Sequence, residues 1–151
     1  MRPERRLFSY PATKRDCVVK TLQAVLEARL DVFFAYVHGS FVTDRPFHDV
    51  DVAVTFDDSS TEPLGLRALD LGAEAEDVLS RALEGDAPPV DVRALNQAPL
   101  GFSYQALRGG RLLTSRDERL RTEWFVRVVT RYLDTKPLRE RALKEAMTTW
   151  R

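Results

Sequence analysis

Tyr36-Val37-His38-Gly39-Ser40-Phe41, followed after a polar spacer by Asp49-Val50-Asp51-Val52-Ala53-Val54, decides how the rest of the chain is read. The first half closes a short apolar run, Asp31-Val32-Phe33-Phe34-Ala35-Tyr36-Val37, rich in β-branched and aromatic residues. Such a run predicts a buried strand. It leads straight into Gly39-Ser40. The second half starts by alternating carboxylate with valine, so a strand there carries Asp49 and Asp51 on one face and valines on the other. The spacer, Thr43 to His48, is polar and contains Pro46, which predicts a loop.

Upstream, Val18, Leu22, Val25, Leu26 and Arg29 recur at helical spacing, widened by Val19, and predict a helix over about 13–29. Downstream, residues 63–84 predict a second helix whose apolar face is Leu66, Leu69, Ala73, Val78, Leu79 and Ala82, stopped by Gly85 and Pro88-Pro89. Val90 to Leu95 reads as a strand and Asn96 to Pro99 as a turn. A short helix from Leu100 to Leu107 is expected to stop at Gly109-Gly110 through a left-handed residue. Arg111 to Thr114 adds a short strand. Ser115-Arg116-Asp117-Glu118 has the capping-box pattern. It opens a helix with Leu120, Trp124, Val128 and Tyr132 on one face, which Lys136-Pro137 is expected to break or kink. A last helix carries Leu138, Ala142, Ala146 and Trp150.

The alternation of helices and strands predicts an α+β chain with α/β layering. A short mixed sheet is flanked by helices on one side, with C-terminal helices from about 116–150. Residues 1–151 are read as a single domain, since no linker divides them.

Composition narrows the function classes. The chain has 151 residues, 44% hydrophobic and 30% charged, enough for one real core. Its 23 Lys plus Arg balance 23 Asp plus Glu. That argues against a partner held by bulk charge, so no direct nucleic-acid binding is expected. Arginines do concentrate between Arg108 and Arg131, most simply as a solvated helix face, with an acidic partner or RNA as the alternative. A single cysteine, Cys17, forms neither an internal disulfide nor a Cys-rich zinc site, and is read as a small buried apolar residue. No apolar run approaches the roughly 20 residues that span a bilayer. Met1 to Tyr10 holds no apolar signal core. A cytoplasmic protein with no membrane partner is expected.

The chemistry is expected where three features meet: Gly39-Ser40 after one strand, Asp49-Val50-Asp51 opening the next, and Asp91 in a later one. The Asp49 and Asp51 carboxylates lie about 7 Å apart along a strand. Like charges so placed repel unless a cation accompanies them. A hard dication such as magnesium suits oxygen ligands of this kind, shared with substrate phosphates. With Asp91 facing the same way on an adjacent strand, three carboxylates make a two-metal site for in-line phosphoryl displacement. Gly39 lets backbone approach a phosphate. Backbone N–H groups and the Ser40 hydroxyl can bind its oxygens. A helix starting near Phe41 would add a favourable dipole.

The order Gly39-Ser40, spacer, Asp49-Val50-Asp51 resembles the polymerase-β-like nucleotidyltransferase superfamily, with Val90-Asp91-Val92 where that superfamily places its third acid. The compact length, the stretch Leu107-Arg108-Gly109-Gly110-Arg111-Leu112-Leu113 and a following helix ending in Tyr132-Leu133-Asp134 resemble the minimal nucleotidyltransferase (MNT) antitoxins. The resemblance implies that fold and an enzyme using Mg2+, as two ions, with ATP as substrate. It also implies a HEPN-type ribonuclease toxin as partner, silenced by transfer of AMP to one of its tyrosines. Asp49 and Asp51 would hold the metals and the ATP phosphates, Asp91 the catalytic metal, and Gly39 and Ser40 the β- and γ-phosphates. The spacer Phe41 to His48 is shorter than the commonest form of the motif.

Two other functions stay open on the residues alone: adenylylation of a small molecule such as an aminoglycoside, and neutralisation of a toxin by contact without catalysis. His38 reads as a strand-end histidine satisfied by its neighbours, and His48 as a solvated loop residue. Arg45 is a phosphate candidate of lower standing. Trp124, Tyr132 and Trp150 read as core or interface.

Overall fold

Five of the seven positions of β1 (Val32–His38) are buried in the computed structural model, which describes residues 5–150. A strand buried at alternate positions needs cover on one face; a strand buried at consecutive positions needs it on both. Helices accordingly pack on each side of the sheet, rather than on the single side expected. Ala35 and Val37 face one core, together with Val50, Val52 and Val54 of β2 (Val50–Phe56). That core is closed by α1 (Ala12–Ala28) and α2 (Leu64–Ala82) through Val18, Leu22, Leu26, Leu71 and Leu79. Phe34 and Tyr36 face the other core with Ala53 and Leu95, beneath Ala106 of α3 (Leu100–Gly109) and Leu120 and Trp124 of α4 (Glu118–Thr149). Leu22, Leu71 and Leu79 are at most 1% exposed. Each such side chain contributes about 1.5–3 kcal/mol by leaving water.

The sheet is mixed and has four strands in the order β3-β2-β1-β4, with β3 spanning Val90–Ala94 and β4 Arg111–Ser115. The central strand β1 runs antiparallel to β2 and to β4. The helical crossover through α2 brings β3 back parallel to β2, as a parallel pair requires.

Several local expectations change against this frame. Of the expected face of α2, Leu79 is buried and Val78 packs against the core, but the inward face is otherwise different: Arg67, Ala68, Leu71, Gly72 and Ala75 are buried with Leu79, while Leu66 and Leu69 are 52% and 71% exposed. The inward residue of its first turn is an arginine. Arg67 is 3% exposed and pairs at 3.2 Å with both Asp31 and Asp57, so an apolar stripe alone points to the wrong register. Helix α4 is capped by Asp117, whose carboxylate accepts from the Leu120 N–H at 3.0 Å; Ser115 belongs to β4. Gly109-Gly110 does not end α3 through a left-handed residue. Gly110 has φ −86° and is needed for space, because a Cβ there would stand 2.0 Å from the Ala106 carbonyl oxygen.

Nor does Pro137 end the long helix. α4 is one helix of 32 residues. In the turn before the proline, Thr135 Oγ1 donates to the Arg131 carbonyl at 2.8 Å and Arg139 Nη2 to the Tyr132 carbonyl at 2.7 Å. Beyond Pro137, Leu138, Leu143, Met147 and Trp150 are all exposed, so the second apolar face expected there lies open. Cys17 is half-buried rather than buried. Met1 to Glu4, part of the stretch read for a signal core, and Arg151 lie outside the described residues. Among the described residues no helix is long and apolar enough to cross a membrane.

Candidate active site

The register between strands builds the site. His38, the last residue of β1, pairs with Asp51 of β2, and Asp51 pairs with Asp91 of β3. Three side chains therefore stand side by side at one end of the sheet, on strands about 4.8 Å apart. Asp49 sits one residue before β2, in the bend that leads into it. Gly39 follows His38 with φ +77°, a left-handed conformation that glycine adopts without strain. It also makes room: a Cβ at Gly39 would stand 2.3 Å from Asp51 Oδ2. The chain thus turns tightly against the very carboxylate the next strand presents. Gly39, Asp49, Asp51 and Asp91 are drawn together, and Ser40 stands exposed on the turn beside them.

The electrostatics follow from that crowding. Burial, then the nearby charges of Asp49 and Asp91, push the Asp51 carboxyl up from 3.8 to about 6, against the opposing pull of Arg93. Burial, reinforced by Arg93, lowers the His38 imidazole from its ordinary value, with Asp91 opposing. His38 is therefore neutral at pH 7. Contrary to expectation it is not fully satisfied by its neighbours: its Nε2 is buried without a hydrogen-bond partner, and its ring meets the edge of Phe102 at 5.5 Å.

Two residues of this corner had not been expected in it. Arg93 reaches Asp91 Oδ2 at 3.4 Å through Nε, and its guanidinium lies 5.7 Å from the Phe102 ring. Phe102, from α3, closes the side of the corner toward His38. The signal for Arg93 was present in the sequence, since i, i+2 spacing from Asp91 puts both on one strand face. Phe102 comes from a separate element and carried no such signal.

The spacer is more ordered than a solvated loop. It begins as a single 3-10 turn, Gly39–Val42, not a helix, so no helix dipole reinforces phosphate binding. Phe47 is 1% exposed and exchanges backbone hydrogen bonds with Phe8 at 2.8 and 3.0 Å. Arg45 is exposed, and so is His48, whose Nδ1 lies 3.0 Å from the Arg6 carbonyl. A cleft of about 400 Å³ between Arg5, His48, Asp49, Ala87 and Pro89 opens beside Asp49, and Arg5 approaches Asp49 at 3.9 Å. A larger cavity, about 610 Å³, lies at the other end of the strands against Thr55, Leu95 and Trp124, away from the acids.

The donor set suits magnesium: oxygen ligands only, with the Asp51 carboxyl raised by burial and then by its anionic neighbours, a penalty a dication would offset. Among the described residues no three His, Cys, Asp or Glu side chains already close round one point. Magnesium seldom asks for that, since it is ordinarily held by one or two carboxylates together with substrate phosphates.

Comparison with known proteins identifies the fold and the family. No curated protein matches the chain by sequence. Among solved structures, the chain resembles a chain of the tri-AMPylated Shewanella oneidensis HEPN toxin in complex with MNT antitoxin. There the identity is 18%, the TM-score 0.56, and the match covers 89% of this chain and 97% of that one. A toxin–antitoxin structure with AMP-PNP matches at 19% identity and TM-score 0.61, over 88% and 98% of the two chains. The toxin–antitoxin MntA-HepT matches at 18% identity and TM-score 0.59, over 91% and 99%. At these identities the likeness is one of fold. The family described as Polymerase beta, Nucleotidyltransferase matches residues 20–119, which span β1, the glycine turn and all three acids. With that match over most of its length, the chain belongs to the polymerase-β nucleotidyltransferase family.

Proposed function

We propose that this protein is a cytoplasmic, magnesium-dependent adenylyltransferase that silences a HEPN-type toxin by transferring AMP from ATP to a tyrosine hydroxyl of that partner. The observation that carries the proposal is the Asp51–Asp91 register, set against the Gly39 turn with Asp49 alongside. Family membership supplies the reaction class. The HEPN toxin–MNT antitoxin structures, one with an AMPylated toxin and one with AMP-PNP, support the partner and the nucleotide.

The roles follow from position. Asp49 and Asp51 would hold magnesium together with the ATP phosphates, and Asp91 with Asp51 would hold the second ion. When bound, magnesium neutralises phosphate charge and stabilises the oxygens of an in-line displacement. The Gly39 backbone and the Ser40 hydroxyl bind the β- and γ-phosphate oxygens. Asp91 lies on the outer side of the pair and accepts the proton from the incoming hydroxyl. The hydroxyl oxygen bonds to the α-phosphorus as the bond to the bridging oxygen breaks, and pyrophosphate leaves. Neutral His38 adds no charge to the corner. Phe102 walls it on the side of α3. Arg93 must release Asp91 for that carboxylate to serve.

The test is label transfer from ATP labelled at the α-phosphate to the co-encoded partner, beside an Asp49→Ala/Asp51→Ala control. Label that appears on the partner and vanishes in the control supports the proposal. Neutralisation of the toxin by both forms without label would replace it with binding by contact alone. Absence of both would turn attention to small-molecule acceptors.

A further inference from the structure

We infer that Arg15, on α1 and outside the acid corner, is a positioning residue that sets the conformation of the Gly39–Ser40 turn for the triphosphate. The inference rests on the reading of that turn as the phosphate site. Arg15 Nε donates to the Tyr10 carbonyl at 3.1 Å. Its Nη1 donates to the Phe41 carbonyl and, at 3.1 Å, to the Thr43 carbonyl. Nη2 donates to the Arg45 carbonyl at 2.8 Å. One guanidinium therefore gathers three carbonyls of the segment that joins the turn to Asp49, and a fourth from the chain that leads into α1.

The constraint reaches the turn through Thr43. The Thr43 N–H donates to the Ser40 carbonyl at 3.2 Å and its Oγ1 to the same oxygen at 2.7 Å. Arg15 fixes the Thr43 carbonyl, Thr43 fixes the Ser40 carbonyl, and the Ser40 peptide is set. The guanidinium also lies 5.4 Å from the Phe41 ring and 5.1 Å from the Phe47 ring, both of which are buried. Aromatic rings below and carbonyls at the edge leave it one pose. Carbonyl oxygens drawn into a cation do not face an incoming phosphate, whose oxygens they would repel. No carboxylate forms an ion pair with Arg15 among the described residues. All four of its hydrogen bonds go to backbone carbonyls.

The residue type is specific. Converging carbonyls need a planar fork with five donors; an ammonium is a point donor and cannot span them. Lysine at position 15 is therefore expected to behave as a loss of the clamp. Lys14, one residue before, pairs with Asp86 at 2.6 Å and lies over the Tyr10 ring, but bonds none of the carbonyls that Arg15 gathers, so Lys14→Gln serves as control.

The experiment compares wild type, Arg15→Gln, Arg15→Lys and Lys14→Gln by amide hydrogen exchange over residues 40–45, calorimetric affinity for Mg·ATP, and label transfer to the partner at saturating and limiting ATP. Expected in both Arg15 variants is exchange at 40–45 at least about tenfold faster, with β1 amides unchanged, and Mg·ATP affinity weaker by about tenfold. The KM for ATP rises in parallel, kcat stays within about twofold, and Lys14→Gln matches wild type. Unchanged exchange and affinity in Arg15→Gln would overturn the inference. So would a variant that loses kcat and overall thermal stability together, which would make Arg15 merely structural, or full rescue by lysine. If wild type itself neither binds nor transfers ATP, the proposed function fails, while exchange at 40–45 still decides whether the clamp exists.

Discussion

Replacing Asp51 by asparagine should stabilise the metal-free protein at neutral pH and leave it unchanged at acid pH. The Asp51 carboxyl ordinarily ionises near 3.8 and is pushed to about 6 in the folded chain, by burial and by Asp49 and Asp91. Below pH 3.8 the group is protonated in both states and carries no penalty. Between 3.8 and about 6 the unfolded chain sheds the proton while the native chain keeps it, so stability falls as pH rises, and above about 6 the whole penalty is present. A displacement of that size corresponds to about 3 kcal/mol if fully expressed. The side chain is only half-buried, and water and salt screen it, so about 1 kcal/mol is the realistic size. For a chain of this length that moves Tm by about 2–4 °C. Thermal melts in chelator at pH 8 and pH 4 measure it, wild type beside Asp51→Asn. At pH 8 the variant should melt higher, at pH 4 the two should coincide, and magnesium with ATP should then raise the midpoint of wild type alone. A variant that melts lower than wild type at pH 8 in chelator, or higher by the same amount at both pH values, would refute the reasoning.

Gly39→Ala should be more damaging than its size suggests, because its Cβ meets Asp51 Oδ2 at 2.3 Å and its φ is +77°. A loss of about 1–3 kcal/mol in chemical denaturation is expected, together with loss of nucleotidyl transfer; a well-folded, active alanine variant would contradict the packing of the turn. Arg93→Ala should release Asp91 from its 3.4 Å contact. Since the pair is largely exposed, stability should change by under about 1 kcal/mol, while the magnesium concentration for half-maximal transfer should fall; an unchanged or higher requirement would show that Arg93 does not compete with the ion. Arg67→Met should cost about 1–3 kcal/mol in a urea titration, by taking the buried cation from Asp57 and one of two arginines from Asp31, which keeps Arg29, with transfer per folded molecule preserved; an unchanged or higher midpoint would contradict that role.

The strands and the acid corner were legible because each depended on local pattern. Continuous apolar character in Val32 to Val37 and alternation from Asp49 onward fix the two strands whose pairing makes the site. What stayed hidden was decided by partners distant in sequence. The inward face of α2 turns on Arg67, which earns burial only because Asp31 and Asp57 wait for it across the fold. Cover on both sides of the sheet is implicit in the unbroken apolar run of β1, but the element that covers Phe34 and Tyr36 is Trp124, from the distant α4. The capping pattern at Ser115 and Asp117 admits either residue; strand pairing of Ser115 with Phe34 removes it from the contest. Pro137 was a fair stop signal, but a helix with solvent around it and side-chain donors beside it can carry a proline through. Phe102 and the unpartnered His38 Nε2 emerge only when α3 is laid over the end of β1.

The most direct measurement of the central claim is the intact mass of the co-encoded partner after incubation with Mg·ATP and this protein, beside Asp91→Asn. The account predicts a partner heavier by one or more adenylyl groups with the wild-type protein and unmodified with the variant. A partner whose mass never changes while its toxicity is still abolished, or one modified equally by wild type and Asp91→Asn, would contradict it.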